Sequence, residues 1–157
     1  MKWGTCFACL ALCLTGGCTR HADTLLYNYQ RTAGEAGWAG NDTLAFPLQR
    51  VPATGVYALH VGVRMRPDFP YQGLTYVVEL NLAHPHAEIR DTVHLHVADS
   101  SGMRLLGQGH SLVTYETHAF DLHLYRGQHG TFRLYHLMAQ SPLPAVTDLG
   151  LKLQALD

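Results

Sequence analysis

Apolar and polar residues alternate along most of this chain with a period of two, which is typical of half-buried β-strands. In Val56–Met65, for example, Leu59 and Val61 lie on one face and His60 lies on the other. No stretch shows the sustained 3.6-residue period of a helix. The pattern predicts about seven or eight strands, at Leu25–Tyr29, Leu44–Leu48, Val56–Met65, Thr75–Leu82, Val93–Val97, Phe120–Leu124, Phe132–Met138 and Leu149–Leu153.

Turn-forming residues separate the predicted strands. Clusters of Gly, Pro, Asp and Ser occur at Pro52–Gly55, Pro67–Pro70 and Asp99–Gly102, between alternating segments. Many short strands joined by such turns indicate two packed sheets or a small barrel. We predict an all-β fold, a single antiparallel β-sandwich of about seven or eight strands. The pattern does not define the order of the strands within the sheets.

The first residues predict an export signal instead of part of the fold. Lys2 precedes an uncharged run from Trp3 to Leu14. This run is shorter than the ~20 residues of a bilayer span but has the length of a signal-peptide core. Thr15-Gly16-Gly17 supplies the small residues of a cleavage site. We therefore assign residues 1–17 to a cleaved signal peptide.

All four cysteines lie at this end of the chain, so the remainder contains no disulfide framework. Cys18 directly follows the cleavage region, and the segment resembles a bacterial lipobox, in which this cysteine becomes the lipidated first residue. Thr15 stands where a lipobox usually has a large aliphatic residue, so ordinary secretory cleavage nearby is the alternative. The predicted organisation is a lipoprotein signal peptide at 1–17, a lipidated tether at 18–23 and a β-sandwich domain at 24–157.

The composition excludes two classes of protein. Hydrophobic residues make up 47% of the 157 residues and charged residues 15%, so the chain is not intrinsically disordered. Lys and Arg together number 11 against 12 for Asp and Glu. Without a basic excess, we expect no nucleic-acid partner and a membrane contact made by the lipid alone.

The sequence contains no complete catalytic or metal-binding motif. His94 and His96 share one predicted strand face, and His123 on another strand could converge with them on a metal ion. A solvent-facing, histidine-rich surface explains the same pattern. Ser111 follows Gly109-His110, but Val113 replaces the second glycine of a nucleophile elbow. We predict no enzyme activity, no catalytic residue, and no metal or other cofactor.

Aromatic residues suggest a different binding chemistry. Trp38 with Tyr27 and Tyr29, or Phe69 with Tyr71, could stack against sugar rings. In a β-sandwich, such residues more often pack in the core or along an edge. Sugar stacking by these residues would make the protein a membrane-tethered carbohydrate-binding module, which is the alternative function.

Three short segments resemble an O-glycosylation acceptor. Asp-Thr-Leu occurs at residues 23–25 and 42–44, and Asp-Thr-Val at 91–93. Bacteroidetes use an acceptor of this kind on exported proteins. Thr24 and Thr43 are better candidates than Thr92, because they lie in predicted loops or at strand edges. Threonine also commonly opens strands, which explains the pattern without a glycan.

A series of short segments follows in a characteristic order through the mature chain. They are Tyr27-x-Tyr29, Trp38–Phe46, Val63-Arg64, Phe69–Leu74, Asp91-Thr92, Ala98–Gly102, Leu106–Gly109, Met138, Leu143 and Val146–Leu151. In order and spacing, they resemble the gliding-motility lipoprotein family GldH of Bacteroidetes. Residues 103–105, Gly73 and Ala139 depart from the usual family pattern, as expected of a divergent member.

The resemblance implies an envelope lipoprotein with no assigned enzymatic activity. Such a protein would support the assembly or stability of gliding-machinery or other envelope proteins through protein–protein contacts. Residues 19–23 lack an acidic cluster resembling the surface-export signal of this phylum. We therefore expect a lipid-anchored domain on the outer membrane that faces the periplasm. Within the shared segments, Gly102, Gly107 and Gly109 suit a tight turn and a bulge.

Overall fold

The computed structural model describes residues 24–156, so the predicted signal peptide and tether lie outside the described residues. Within residues 24–156 there are eight β-strands and no helix that could span a membrane. This confirms the predicted all-β fold. The strands are β1 (Thr24–Arg31), β2 (Leu44–Leu48), β3 (Gly55–Met65), β4 (Gly73–Ala83), β5 (Ala87–His96), β6 (Val113–Leu124), β7 (His129–His136) and β8 (Val146–Leu156).

The strands form two four-stranded sheets that pack face to face. The first sheet has the order β1-β8-β3-β6 and the second β2-β7-β4-β5. Every neighbouring pair is antiparallel. The chain changes sheets at every connection except the hairpin between β4 and β5. Most hydrogen-bonded neighbours are therefore distant in sequence.

The apolar faces of the two sheets form a shared core. Leu59, Val61 and Val63 of β3 point inward and are fully buried, as their alternation predicted. Phe46 and Tyr76 of the second sheet are also fully buried. The Tyr76 hydroxyl has no hydrogen-bond partner among the described residues. Burial raises the pKa of this phenol well above its usual range.

The antiparallel register places the connections at two ends of the sandwich. The proximal end comprises Thr24, where β1 begins, and the shorter connections 49–54, 84–86 and 125–128. The distal end comprises the longer connections 32–43, 66–72, 97–112 and 137–145. Strand β3 runs between the ends with 11 residues. At ~3.3 Å per residue, the ends are about 33 Å apart.

Most strands extend beyond the predicted bounds, and two of them begin six or seven residues earlier than their alternation predicted. Strand β5 begins at Ala87, not Val93, and β6 begins at Val113, not Phe120. Both are edge strands, and the early part of β5 is mostly exposed. Main-chain pairing with β4 defines this part of β5. Only Ala87 and Ile89 of this part pack against the core, both partly buried, and the exposed Asp91 interrupts the apolar alternation before Val93.

Candidate functional site

The histidines considered as metal ligands lie on different sheets. His94 and His96 are on β5 of the second sheet, whereas His123 is on β6 of the first. His94 Nδ1 lies 2.9 Å from the Thr75 hydroxyl, and His123 packs against Tyr125 with ring centroids 4.9 Å apart. Within residues 24–156, no three His, Cys, Asp or Glu side chains converge where they could hold a metal ion. The three histidines therefore do not form one site.

Two of the candidate sugar-stacking residues lie in the core, the more common place for aromatics in a β-sandwich, and this excludes them from a sugar platform. Trp38 and Phe69 are 0% and 1% exposed. Trp38 Nε1 donates a hydrogen bond to the Asp42 carbonyl at 2.7 Å, and the main chains of Trp38 and Leu143 exchange hydrogen bonds at 3.0 and 2.7 Å. The 32–43 connection folds over the open end of the sandwich. Trp38 consequently closes the core and cannot reach a ligand.

His136, the last residue of β7, fixes the main chain of Trp38. Its Nε2 donates to the Trp38 carbonyl at 3.0 Å, and its Nδ1 accepts from the Met138 N–H at 3.2 Å. The two contacts require one proton on the ring, on Nε2, and therefore a neutral imidazole. Burial lowers the pKa of His136, and the hydrogen bond to the Trp38 carbonyl opposes this only in part.

Tyr29 occupies a depression on the outer face of the first sheet. Gly62 of β3 and Gly150 of β8 are register partners, and Gly150 is also paired with Tyr29 of β1. A Cβ atom at Gly150 would lie 2.5 Å from Tyr29 ring carbons. The Arg64 guanidinium covers the ring, 3.9 Å from its centroid. Tyr29 is thus held between glycine backbone and an arginine and is closed to a sugar ring.

Tyr27 and Tyr71 are the remaining aromatic candidates. Tyr71 is partly buried, packs edge-on against Phe69 and bonds the Gln140 side chain through its hydroxyl. Tyr27 is 64% exposed and contacts Tyr29 edge-on, with ring centroids 5.7 Å apart. Of the five aromatics considered, Tyr27 alone presents most of its ring to solvent.

The connection 97–112, here called the distal tip, has a backbone fixed by hydrogen bonds. The Asp99 carboxylate accepts from the Ser101 hydroxyl at 2.6 Å, from the Ser101 N–H at 2.9 Å and from the Met103 N–H at 3.0 Å. These hydrogen bonds, that of the Ser101 hydroxyl foremost, lower the pKa of Asp99. Further along, the main chains of Gln108 and Thr114 exchange two hydrogen bonds at 3.0 and 2.7 Å.

Of the three glycines expected in a turn or bulge of the distal tip, two have positive φ angles and the third, Gly107, does not. Gly102 and Gly109 have φ angles of 85° and 110°, in the region that favours glycine. Each lies in a turn of the tip, which confirms the turn role expected of these two residues. The tip is therefore a defined structure and not an open loop.

Four large apolar side chains project from the distal tip into solvent. They are Met103, Leu105, Leu106 and Leu112, exposed by 70%, 42%, 104% and 39%. Leu106 is fully exposed, although the N–H of the preceding Leu105 donates to the Val97 carbonyl at 3.0 Å. Four exposed large apolar side chains within one connection are unusual, and exposed apolar surface commonly marks a contact site for another molecule.

The segment 105–107 forms a ridge between two grooves. The Arg66 groove, of about 420 Å³, separates the ridge from Arg66 and Pro67. The His96 groove, of about 300 Å³, separates the other side of the ridge from His96 and Glu116. A binding partner could therefore contact the ridge from either side.

Sequence reasoning did not identify the distal tip as a site. The available indication was Leu105-Leu106, two consecutive leucines within a turn segment that has no alternation. Ser111 also lies in the distal tip, where it is exposed. Strand β6 follows it, so the strand-to-helix turn of a nucleophile elbow is not present here.

Of the predicted modification sites, the two O-glycosylation candidates lie within the described residues and the lipidation site does not. Thr24 begins β1 and Thr43 directly precedes β2, and both are exposed. The neighbouring Asp42 accepts a hydrogen bond from the Ala33 N–H at 2.8 Å, which gives this aspartate a structural role in the 32–43 connection. Cys18, the predicted lipidation site, lies outside the described residues.

A protein-family model described as GldH lipoprotein matches residues 25–153, almost the entire β-sandwich. The chain belongs to the GldH lipoprotein family. This confirms the resemblance identified from the order of short segments, and it makes the chain a membrane-anchored envelope lipoprotein. Among curated protein sequences, none matches this GldH-family chain.

Two solved structures are similar to this GldH-family protein. A family 35 carbohydrate-binding module from Clostridium thermocellum is 18% identical with a TM-score of 0.37, and the match covers 78% of this chain and 86% of that one. The CBM35 module of Cellvibrio japonicus Abf62 is 14% identical with a TM-score of 0.34, covering 88% and 94%. At these values, neither match carries an argument about the fold, ligands or function of this chain.

Proposed function

We propose that this GldH-family protein is a non-catalytic lipoprotein of the outer membrane that faces the periplasm. Anchored through the lipid on Cys18, it supports the assembly or stability of envelope proteins, including the gliding machinery. It does so through protein–protein contacts made at the distal end. The exposed apolar side chains of the distal tip are the observation that carries this proposal.

The position of the distal tip favours a protein partner. The lipid precedes the proximal end, since Cys18 lies six residues before Thr24 in the sequence. The segment between them spans at most about 20 Å when extended. The distal tip lies about 33 Å from the proximal end along β3. An upright domain therefore presents the tip to proteins in the periplasmic space, away from its own membrane.

The experiment is mild crosslinking in intact cells, followed by detergent extraction and capture of the C-terminally tagged full chain. Cys18→Ala serves as the non-acylated control. The proposal predicts that the same few envelope proteins are captured with the acylated form only, and that deleting the gene lowers their abundance. A chain that is recovered alone from both strains, with unchanged levels of other envelope proteins, would refute it.

Carbohydrate binding is the second candidate function, and Tyr27 supports it. Its exposed ring lies on the outer face of the first sheet, where Lys152 is its register partner. The test is thermal stabilisation of the domain by glycans, compared between the parent and Tyr27→Ala. Trp38→Ala is unsuitable as a test because Trp38 is a core residue. Glycan-dependent stabilisation that survives in Tyr27→Ala would remove Tyr27 from the site.

Thr24 and Thr43 are proposed as O-glycosylation acceptors. Both side chains are exposed in the folded domain, as an acceptor must be. The intact mass of the protein isolated from its native envelope should exceed the sequence mass by hexose-type units. Thr24→Ala and Thr43→Ala should each remove part of this excess. A mature protein with no added mass would overturn the assignment.

A further inference from the structure

The Arg66 groove combines an apolar lining with cationic residues. Met65, Val113 and Tyr115 contribute apolar surface, and Arg66 and Arg104 contribute two positive charges. Among the described residues that line the groove, none is an aspartate or a glutamate. A segment that fills this groove should therefore carry both apolar and acidic side chains.

Both arginines are positioned by neighbouring groups. Arg104 Nη1 donates to the Tyr71 carbonyl at 3.2 Å, and its guanidinium lies 5.8 Å from the centre of the Phe69 ring. Arg66 Nε lies 3.3 Å from the Asp68 carboxylate. Side chains that are already held lose less conformational freedom when they bind a partner. Among the described residues, Arg104 has no carboxylate partner, whereas the exposed Asp68 carboxylate pairs with the Nε of Arg66 and leaves its two Nη groups for a second carboxylate.

The size of the groove limits what can enter it. Its volume of about 420 Å³ is in the range of sites that hold a small ligand or a few side chains. The adjoining ridge projects Leu106 fully into solvent. A segment lying in the groove would cover this leucine, and an apolar side chain of the segment would contact it.

We propose that the Arg66 groove binds an extended segment of a partner protein in which an apolar side chain stands within a few residues of a carboxylate. The apolar side chain packs against Leu106 and the lining of the groove, and the carboxylate pairs with Arg66. This inference rests on the proposed function, because it names the surface and the partner chemistry that such a scaffold would use.

Site-specific photo-crosslinking in cells that produce the full-length lipoprotein tests the proposal. The probe is p-benzoylphenylalanine at position 106, with the same probe at position 137 as the matched control. Leu137 is also an exposed leucine at the distal end, but it lines neither groove. We expect a covalent adduct with a different envelope protein from position 106 and none from position 137. Mapping should locate the adduct beside an acidic residue.

A second variant tests the charge directly. With the probe at position 106, Arg66→Gln should lower the adduct yield about tenfold, the loss expected for one charged hydrogen bond. Arg133→Gln, which removes an exposed arginine from β7 outside the groove, should leave the yield unchanged. An adduct that persists in Arg66→Gln, or one that maps to a segment without carboxylates, would overturn the proposal.

Other outcomes identify a different occupant or a different surface. An adduct with phospholipid, or with a second copy of this chain, would overturn the assignment of a partner protein. Equal adducts from positions 106 and 137 would show contact without a specific groove. Partners that are captured by general crosslinking but not from position 106 would reject the groove and leave the proposed function intact. If neither crosslinking method captures a partner, both the groove proposal and the proposed function are refuted.

Discussion

Gly150→Ala should destabilise the domain because of Tyr29. A Cβ at position 150 would lie 2.5 Å from Tyr29 ring carbons. Strand β8 is paired on both sides, with β1 and β3, so its backbone cannot withdraw. The tyrosine must therefore leave its place over Gly62 and beneath the Arg64 guanidinium.

The expected size of the effect follows from what Tyr29 loses. Its cation–π contact with Arg64 is worth about 0.5–1 kcal/mol at a partly exposed site. Re-exposing the buried part of the ring costs about 1 kcal/mol more. Replacing a strand glycine by alanine returns about 0.5–1 kcal/mol. Gly150→Ala should therefore lower the free energy of unfolding by about 1 kcal/mol.

A double-mutant cycle isolates the contribution of Tyr29. Chemical denaturation of residues 19–157 would give the free energy of unfolding for the parent, Gly150→Ala, Tyr29→Ala and the double variant. Without the ring, Gly150→Ala should become neutral or stabilising by about 0.5 kcal/mol. Gly55→Ala is the control, since a Cβ at Gly55 has nothing within 4 Å and should have the same effect in both backgrounds.

The reasoning is refuted if Gly150→Ala lowers the free energy of unfolding by the same amount with and without Tyr29. Additivity would show that the glycine is needed for another reason and that the ring does not occupy this depression. It would also reopen Tyr29 as a stacking surface for sugars. A change of sign between the two backgrounds would support the arrangement and leave Tyr27 as the exposed aromatic.

Four further outcomes follow from single positions. Trp38→Ala should cost about 3–5 kcal/mol of unfolding free energy, measured by denaturation, because it empties a core site. Tyr76→Phe should be neutral or stabilising by about 1 kcal/mol in the same assay, since the lost hydroxyl is unpaired. Burial lowers the pKa of His136 below its ordinary 6.5, so the unfolded chain binds the proton first. The unfolding free energy should fall as pH drops below about 6.5, by at most about 1.4 kcal/mol per unit for this group, and His136→Gln should reduce that slope. Cys18→Ala should abolish fatty-acid labelling and move the protein out of the membrane fraction, and retention of both would refute lipidation at this residue.

The candidate site shows where sequence reasoning succeeded and where it could not. Gly102 and Gly109 predicted turns correctly, because a positive φ is a local property that a glycine permits. Trp38 was a candidate for a sugar platform, with core packing as the more common role of such a residue, and the structure places it in the core. Its burial depends on contacts with Leu143 and His136, which are about a hundred residues away in the chain. The exposure of Leu106 likewise depends on how the whole connection is fixed.

By itself, the sequence indicated eight strands and the inward face of the alternating ones, and it predicts an export signal that lies outside the described residues. Period-two alternation, turn residues and an uncharged leader are local patterns, and each is complete within a short window. Only the tertiary structure decided the order of the strands, the closing of the core by Trp38 and the meeting of Tyr29, Gly62 and Gly150. It also decided that the distal tip lies opposite Thr24. These features join residues distant in the chain, and their positions follow from packing two sheets together.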